Sequence, residues 1–204
     1  MITPFIGFAG NIGSGKTTFT RFISKSQNWI PFYEPVSDNP YLEDFYNDMP
    51  RWSFNLQVYF LHKRFEMHKK MSQMKMGVVQ DRTIFEDKEI FAKNLYEMKK
   101  ISQRDWENYS GLFDSMVSFL KKPDLVIYLK ASTEILLKRI LSRNRDFEKN
   151  VDPGYIRTLN VAYDRWVEKE KRYPVIIINT DNFNIYKDQQ SFKKIEKKIL
   201  KTLL

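Results

Sequence analysis

Gly10-Asn11-Ile12-Gly13-Ser14-Gly15-Lys16-Thr17 is the segment from which the architecture of this chain can be inferred. It fits the pattern G-x-x-x-x-G-K-[S/T] without a mismatch, and it lies between the apolar run 5–9 and a predicted helix over 16–26. Glycines let backbone N–H groups turn inward around a phosphate, and the following helix points its N-terminal N–H groups at the same anion. The segment therefore predicts a nucleotide-phosphate site in which Lys16 reaches the β- and γ-phosphates and Thr17 offers a hydroxyl to Mg²⁺.

Further apolar runs extend this strand–loop–helix unit into an α/β pattern. Strands are predicted over 5–9, 29–33, 77–80, 124–129 and 175–179, with Pro31 indicating the start of a strand or an edge strand. Helices are predicted over 16–26, 41–74 with a break at 49–50, 85–96, 103–120, 132–141, 152–171 and at the end of the chain. Alternating strands and helices predict a three-layer α/β sandwich with a five-stranded parallel sheet, whose ligands gather at the carboxyl ends of the strands.

The long helix after the break carries an apolar stripe. Phe54, Val58, Leu61 and Phe65 recur at spacings of three and four residues, which is typical of an amphipathic helix.

Composition restricts the class of protein. The chain has 204 residues, no cysteine and a net charge of +9. This length predicts a single domain over 1–204, and the absence of cysteine excludes disulfides and thiolate chemistry and favours a reducing, cytoplasmic location. Neither a signal peptide nor a membrane-spanning run is expected from the pattern. Lysine pairs are spread along the chain, which favours a solvated surface over a nucleic-acid footprint.

A phosphate loop serves switches, motors and kinases. The guanine motif Asn-Lys-x-Asp of the switches is absent from the sequence, and motors are usually larger chains. A small-molecule kinase is therefore favoured.

Several blocks, taken in order, resemble the deoxyribonucleoside kinases, in particular the bacterial branch that acts on deoxyadenosine and deoxyguanosine. After the phosphate loop they are Glu34-Pro35-Val36, Arg51-Trp52-Ser53-Phe54 with Gln57, Asp81-Arg82-Thr83, Phe91-Ala92-Lys93-Asn94-Leu95, and Arg139 with Arg143-Asn144-Arg145-Asp146-Phe147-Glu148. The resemblance covers nearly the whole chain, and the order of the blocks makes it specific.

For the phosphoryl donor, the resemblance implies ATP with Mg²⁺. The implied catalytic residues are Glu34 as general base, Lys16 and Arg82, and the implied metal site is Thr17 with Asp81. Many nucleoside-phosphorylating members have glutamate where this chain has Asp81, but the bacterial purine branch has aspartate. The predicted ATP-binding residues are Gly10, Asn11, Ile12, Gly13, Ser14, Gly15, Lys16, Thr17, Thr18, Arg139, Arg143, Arg145, Asp181 and Phe183, with a lid over 139–148.

For the phosphoryl acceptor, the resemblance implies a deoxyribonucleoside, with deoxyadenosine preferred. Gln57 and Arg64 are seven residues apart and therefore lie on nearly one face of a helix. The implied acceptor residues are Glu34, Tyr46, Gln57, Arg64, Arg82, Asp87, Phe91 and Glu148. In this assignment Gln57 binds the base, Arg64 pairs with Asp87, Phe91 stacks on the base, and Tyr46 and Glu148 hold the 3′-hydroxyl.

Two alternatives remain at this stage. A nucleoside-monophosphate kinase of the thymidylate kinase type shares the fold and the phosphate loop, but it needs cations for a phosphate on the acceptor. A basic nucleic-acid-binding NTPase would account for the net charge. The resemblance further implies a homodimer built from helices near 52–73 and 103–120, with no membrane or nucleic-acid partner.

Overall fold

The computed structural model describes residues 3–34, 36 and 39–203 of the chain. Pro35 of the Glu-Pro-Val block lies outside the described residues, as do Met1 and Ile2 of the N-terminus. In the described part, the strands are β1 (Phe5–Ala9), β2 (Ile30–Phe32), β3 (Val78–Asp81), β4 (Leu125–Lys130) and β5 (Val175–Asn179). They form one parallel sheet in the order β2-β3-β1-β4-β5. The predicted five-stranded α/β sheet is confirmed.

The helices surround this sheet. They are α1 (Lys16–Gln27), α2 (Leu42–Asn47), α3 (Met49–Ser72), α4 (Ile84–Glu86), α5 (Lys93–Glu97), α6 (Gln103–Val117), α7 (Thr133–Arg143), α8 (Pro153–Lys169) and α9 (Gln189–Leu203). A π-helical segment, Asp87–Ala92, joins α4 to α5, so the single helix predicted over 85–96 changes its winding in the middle.

Strand residues alternate between two hydrophobic clusters, which defines the three layers. On β4, Leu125, Ile127 and Leu129 pack in a cluster with residues of α1 and α9. Val126 and Tyr128, which alternate with them, pack in the cluster that holds residues of α3, α6 and α8. Because successive strand side chains point to opposite faces, helices cover both sides of the sheet.

Local sequence signals account for several element ends. Ser132 caps α7 as predicted, because its hydroxyl accepts from the Ile135 N–H at 3.4 Å. Pro50 stands at the beginning of α3, whose N-cap is Asp48, and this confirms the predicted break. Pro31 lies on β2, an outer strand of the sheet, as expected for a residue without an N–H.

The predicted apolar stripe of α3 packs in and against the hydrophobic core. Of the predicted apolar stripe only Leu61 is fully buried, whereas Phe54, Val58 and Phe65 are half-buried. The fully buried residues of α3 are Ser53, Leu56, Gln57, Leu61, Arg64, His68 and Met71. The buried face includes polar side chains because it lies against a ligand cavity and a buried charge cluster as well as against hydrophobic core.

This topology brings the predicted functional segments together. The phosphate loop follows β1, Glu34 follows β2 and Asp81 ends β3, and these three strands are neighbours in the parallel sheet. Their carboxyl ends therefore face one cavity. Among the residues that the structure describes, no helix is both long enough and apolar enough to cross a membrane.

Candidate active site

A cavity of about 900 Å³ opens at the carboxyl ends of the central strands. Nearly all of the predicted site residues line it. They are Ile12, Gly13, Ser14, Gly15, Lys16, Thr17, Thr18, Glu34, Tyr46, Gln57, Arg64, Asp81, Arg82, Asp87, Phe91, Arg139, Arg143, Arg145, Glu148 and Phe183. Residues separated by more than a hundred positions in the chain thus share one cavity.

Three residues predicted to bind ATP do not line the cavity. Gly10, the first residue of the loop, packs against β4, where an added Cβ would stand 2.8 Å from the carbonyl oxygen of Leu129. The Asn11 amide donates to the Ile156 carbonyl at 2.9 Å, so it anchors the loop to α8. The Asp181 carboxylate accepts from the Ser132 N–H at 2.7 Å, at the beginning of α7. These contacts support the site from outside.

The phosphate loop holds a buried lysine. Lys16 Nζ donates to the Asn11 carbonyl at 3.0 Å within the loop. Burial and the nearby charge of Arg82 lower the pKa of Lys16 to about 8, although Asp81 and Glu34 oppose this shift. An anion entering the loop would favour the charged form of Lys16.

Thr17 and Asp81 form a pair below the loop. The Thr17 hydroxyl donates to Asp81 Oδ2 at 2.5 Å, whereas Asp81 Oδ1 is buried without a hydrogen-bond partner among the described residues. Burial raises the pKa of Asp81, with Glu34 acting in the same direction and Lys16 against it. A hydroxyl beside an unsatisfied carboxylate oxygen suits a hard, hydrated cation such as Mg²⁺.

A buried charge cluster lines the same cavity as the loop. Arg64 has no exposed side-chain area, and its Nη2 lies 2.5 Å from Glu34 Oε1. Its Nε donates to Asp87 Oδ1 at 2.8 Å, and its Nη1 donates to the Arg82 carbonyl at 3.2 Å. Arg82 Nε lies 3.0 Å from the same Glu34 oxygen. The predicted pair of Arg64 with Asp87 is thus part of a larger cluster that also holds Glu34.

The cluster moves the pKa values of its two carboxylates in opposite directions. Burial would raise the pKa of Glu34, but the charges of Arg82, Arg64 and Lys16 outweigh it and lower that pKa to about 2. Burial raises the pKa of Asp87 to about 6 despite its pairing with Arg64. Glu34 is consequently ionised across the physiological range of pH.

Arg82 has an unusual backbone conformation. Its φ is 69°, in the left-handed region that non-glycine residues rarely adopt, at the point where β3 ends. Its guanidinium lies over the Phe91 ring, with Cζ 4.1 Å from the ring centroid. Strained backbone of this kind is concentrated at functional sites, where the surrounding contacts hold it in place.

The far end of the cavity combines amide, phenol and aromatic groups. Gln57 is buried, and its Oε1 has no hydrogen-bond partner among the described residues. Burial and the Glu148 charge raise the pKa of the Tyr46 phenol. Phe91, from the π-helical segment, lines the same region. An unpaired buried amide oxygen in the same cavity as an aromatic ring suits a flat ligand that carries an N–H donor.

The predicted lid contributes three arginines, of which two share the partner Glu148. Arg139 donates to the Thr180 hydroxyl at 3.1 Å and to the Thr180 carbonyl. Arg143 Nε donates to Glu148 Oε2 at 2.6 Å, and Arg145 Nη1 lies 3.7 Å from Glu148 Oε1. Arg143 was predicted to bind ATP and Glu148 to bind the phosphoryl acceptor, so this ion pair links residues of the two predicted substrate sites.

Other residues line the cavity without having been predicted. Most are aromatic or aliphatic, and several follow β5: Tyr33, Val36, Leu42, Phe45, Phe60, Phe147, Tyr155, Asn184, Ile185 and Tyr186. The Glu-Pro-Val block and the tyrosines beside it were visible in the sequence. However, aromatic residues pack in cores as often as they contact ligands, so no signal identified these positions.

The geometry of the cavity defines the class of this protein. A phosphate loop with a buried lysine faces a carboxylate held by two arginines across one cavity, which is how P-loop phosphotransferases bring a phosphoryl donor to an acceptor.

Comparisons with known proteins narrow the class. The model of the deoxynucleoside kinase family matches residues 6–204. The deoxyadenosine kinase of Dictyostelium discoideum is 42% identical over 179 residues, which cover 87% of this chain and 73% of that protein. The deoxyadenosine/deoxycytidine kinase of Bacillus subtilis is 36% identical over 192 residues, covering 93% of this chain and 88% of that protein.

A solved structure agrees with these relatives. The deoxyadenosine kinase of M. mycoides with bound dATP superposes with a TM-score of 0.84 at 30% identity, covering 94% of this chain and 98% of that one. The chain belongs to the deoxynucleoside kinase family. It is therefore an enzyme that phosphorylates deoxyribonucleosides, and the two alternatives that the sequence left open are not favoured.

The pKa of Lys16 leads to a prediction about ATP binding. Because burial lowers the pKa of Lys16 to about 8 in the free protein, ATP affinity should fall as the pH rises through this value, and ATP binding at that pH should take up protons. Isothermal titration calorimetry in two buffers of different ionisation enthalpy would measure this uptake. Lys16→Arg, whose side chain keeps its charge, should abolish it. Equal uptake by both proteins would assign the proton to another group.

Proposed function

We propose that this enzyme transfers the γ-phosphate of ATP to the 5′-hydroxyl of a deoxyribonucleoside, with deoxyadenosine as the preferred acceptor. The observation that carries the choice of base is Gln57, a buried amide on the cavity wall whose Oε1 is unpaired among the described residues. An adenine amino group would donate to this oxygen, and the amide nitrogen would donate to a ring nitrogen of the base. The named activities of the Dictyostelium and Bacillus relatives support the same choice.

The acceptor would lie between Phe91 and the residues of α2 and α3. Phe91 would stack on the base, while Arg64 and Asp87 hold the polar edge of the pocket in position. Tyr46 and Glu148, which line the same cavity, would bind the 3′-hydroxyl. A base without matching donors would leave Gln57 unpaired, and buried unpaired groups give strong discrimination.

The donor would be ATP with Mg²⁺. Residues 12–18 line the cavity and would wrap the phosphates, with Lys16 at the β- and γ-phosphates. Thr17 and the unsatisfied Asp81 Oδ1 would hold the metal, directly or through water. When bound, Mg²⁺ would neutralise charge on the phosphate oxygens. Phe183, which lines the cavity after β5, would lie on the adenine side.

Glu34 is the proposed general base. Its low pKa makes it a weak base, but phosphoryl transfer passes through a loose transition state that requires little proton removal at an early stage. The carboxylate would accept a hydrogen bond from the 5′-hydroxyl and so aim that oxygen at phosphorus. Arg82, together with the lid arginines 139, 143 and 145, would stabilise the charge that develops on the transferring group. We place these parts in one domain over 1–204 that includes a lid at 139–148.

The test of this function is an acceptor panel. ATP-dependent phosphorylation of the four deoxyribonucleosides, adenosine and thymidine monophosphate would be followed with magnesium present. We expect deoxyadenosine to give the highest kcat/KM, with deoxycytidine next, because adenine and cytosine carry an amino donor beside an unprotonated ring nitrogen, whereas guanine and thymine carry a carbonyl oxygen at that ring position. Preference for thymidine or deoxyguanosine would contradict the proposed preference for deoxyadenosine. Turnover of thymidine monophosphate alone would contradict phosphorylation of a nucleoside.

The variant Glu34→Gln tests whether Glu34 is the general base. We expect kcat to fall by a factor of about 10² or more, because the neutral amide accepts no proton, while ATP affinity changes little. Steady-state kinetics with calorimetric ATP binding would check both values. Glu43→Gln, the same change at an exposed position of α2, is the matched control and should leave kcat at its original value. A Glu34→Gln enzyme as active as this control would exclude Glu34 as the general base.

We further propose a cytoplasmic homodimer that associates through α3 and α6. The supporting observation is apolar exposure at α6: Leu112 is 43% exposed, and Phe119, just after the helix, is 84% exposed. Exposed aromatic and aliphatic groups of this size mark association surfaces. Sedimentation equilibrium at micromolar concentration should give a dimer for the original chain and a monomer for Phe119→Glu. A monomeric original chain would contradict the proposal.

A further inference from the structure

Glu86 is a buried carboxylate that neither the sequence nor the comparisons assign to the reaction. It ends α4, has no exposed area and does not line the cavity. Its Oε1 accepts from the Thr83 N–H at 2.8 Å and lies 3.2 Å from the Thr83 hydroxyl. These contacts form a capping box at the beginning of α4, immediately after Arg82.

The second oxygen of Glu86 makes contacts that the cap does not require. Oε2 accepts from the Tyr163 hydroxyl at 2.6 Å and from the Gly10 N–H at 3.3 Å. The Tyr163 oxygen in turn accepts from Arg82 Nη1 at 3.3 Å. A directed chain of hydrogen bonds therefore runs from the Arg82 guanidinium through Tyr163 to Glu86, and the same carboxylate binds the first residue of the phosphate loop.

The atom at the position of Oε2 must be a hydrogen-bond acceptor, because both of its neighbours, the Tyr163 hydroxyl and the Gly10 N–H, are donors. Charge-assisted bonds of this kind are the stronger ones, and they act here in a buried region where hydrogen bonds are electrostatically stronger than in water. The buried Glu86 thereby joins two parts of the site that come from different strands, the loop after β1 and the arginine after β3.

Tyr163 connects this chain of bonds to the acceptor pocket. It is fully buried on α8, where its ring stacks on Tyr128 with centroids 5.5 Å apart. Its edge meets Phe91 at a centroid distance of 6.3 Å. The side chain that orients Arg82 therefore also supports the ring on which Arg82 lies.

We propose that Glu86 and Tyr163 are positioning residues that hold Arg82 and the phosphate loop at a fixed separation for phosphoryl transfer. The proposal rests on the proposed role of Arg82 at the transferring group. Neither residue touches a substrate; each acts through Arg82, and Glu86 acts through Gly10 as well. A misplacement of reacting groups by a fraction of an ångström lowers the rate of the chemical step.

Glu86→Gln separates positioning from capping. Glutamine keeps the side-chain length, and its oxygen can cap Thr83 in the capping box. Its NH₂ group would then face the Gly10 N–H and the Tyr163 O–H, which are both donors. We expect the single-turnover rate of phosphorylation to fall by about tenfold or more, with the KM for the nucleoside little changed. ATP affinity, measured without an acceptor, should fall as well, because the phosphate loop loses its anchor.

Tyr163→Phe is the second variant, and it leaves the Gly10 contact in place. It should lower the single-turnover rate while leaving ATP affinity near its original value. The Glu86→Gln, Tyr163→Phe double variant should lose much less rate than the product of the two single effects, because both changes break the same chain of bonds. If Glu86→Gln does not fold, Tyr163→Phe still decides the proposal through its rate.

Ile178→Val on β5 is the control for stability. Ile178 is a core residue of the layer with α1 and α9, so this change lowers the melting temperature without reaching the chain of bonds. A Glu86→Gln enzyme that loses stability like this control, yet keeps its single-turnover rate, would show that Glu86 has a structural role alone and overturn the proposal. An unchanged rate for Tyr163→Phe would overturn it equally. Each single-turnover rate is compared with that of the original chain on the same nucleoside, and the ATP-affinity measurement needs no acceptor. A failure of the proposed nucleoside specificity would therefore not be mistaken for an unchanged rate in either variant.

Discussion

The buried guanidinium of Arg64 is the group on which the candidate active site depends, because it pairs with two carboxylates, Glu34 and Asp87, in the protein interior. Its Nη2 lies 2.5 Å from Glu34 Oε1, and its Nε lies 2.8 Å from Asp87 Oδ1. Arg64 belongs to the helix α3, whereas Glu34 follows the strand β2 of the sheet. Transferring each of these charges from water costs several kcal/mol, and a cluster survives only when every member is paired. The position of α3 relative to the sheet is therefore tied to the chemistry of the cavity.

Arg82 completes the cluster at the cost of backbone strain. Its left-handed conformation, with φ of 69°, costs about 1–2 kcal/mol for a residue with a Cβ. Its carbonyl accepts from Arg64, and its side chain meets Glu34, Phe91 and Tyr163. These contacts hold the strained turn in one geometry. The π-helical segment that follows carries Asp87 and Phe91 into the same cavity, as irregular helices often do at functional sites.

The proposed lid is linked to the proposed acceptor pocket by a pair of charges. Arg143 donates to Glu148 at 2.6 Å, and both residues line the cavity. In the proposed reaction Glu148 binds the acceptor and Arg143 stabilises the phosphoryl group, so a nucleoside that engages Glu148 would also change the partners of Arg143. Donor and acceptor sites are in this way joined by one ion pair as well as by the cavity that they share.

The phosphate loop and the alternation of strands with helices were sufficient to predict the sheet and its ligand edge. Pro31 correctly indicated an edge strand, and Pro50 correctly indicated the break between α2 and α3. These features are local: backbone conformation and side-chain periodicity depend on neighbouring residues, and a sequence displays them directly. The blocks that resemble the family predicted most of the residues that line the cavity, although Gly10, Asn11 and Asp181 lie outside it.

Tertiary structure alone decided which helix faces are buried in the core and which buried polar groups pair with one another. The apolar stripe of α3 was visible in the sequence, yet Gln57 and Arg64 are buried more deeply than Phe54 or Val58. Nothing in the sequence near Glu86 indicates that it binds Gly10, 76 positions away, or Tyr163, 77 positions away. Sequence thus determined the elements and the class of chemistry, whereas the pairing of buried charges was decided by the fold, because desolvation depends on what the whole chain packs around each group.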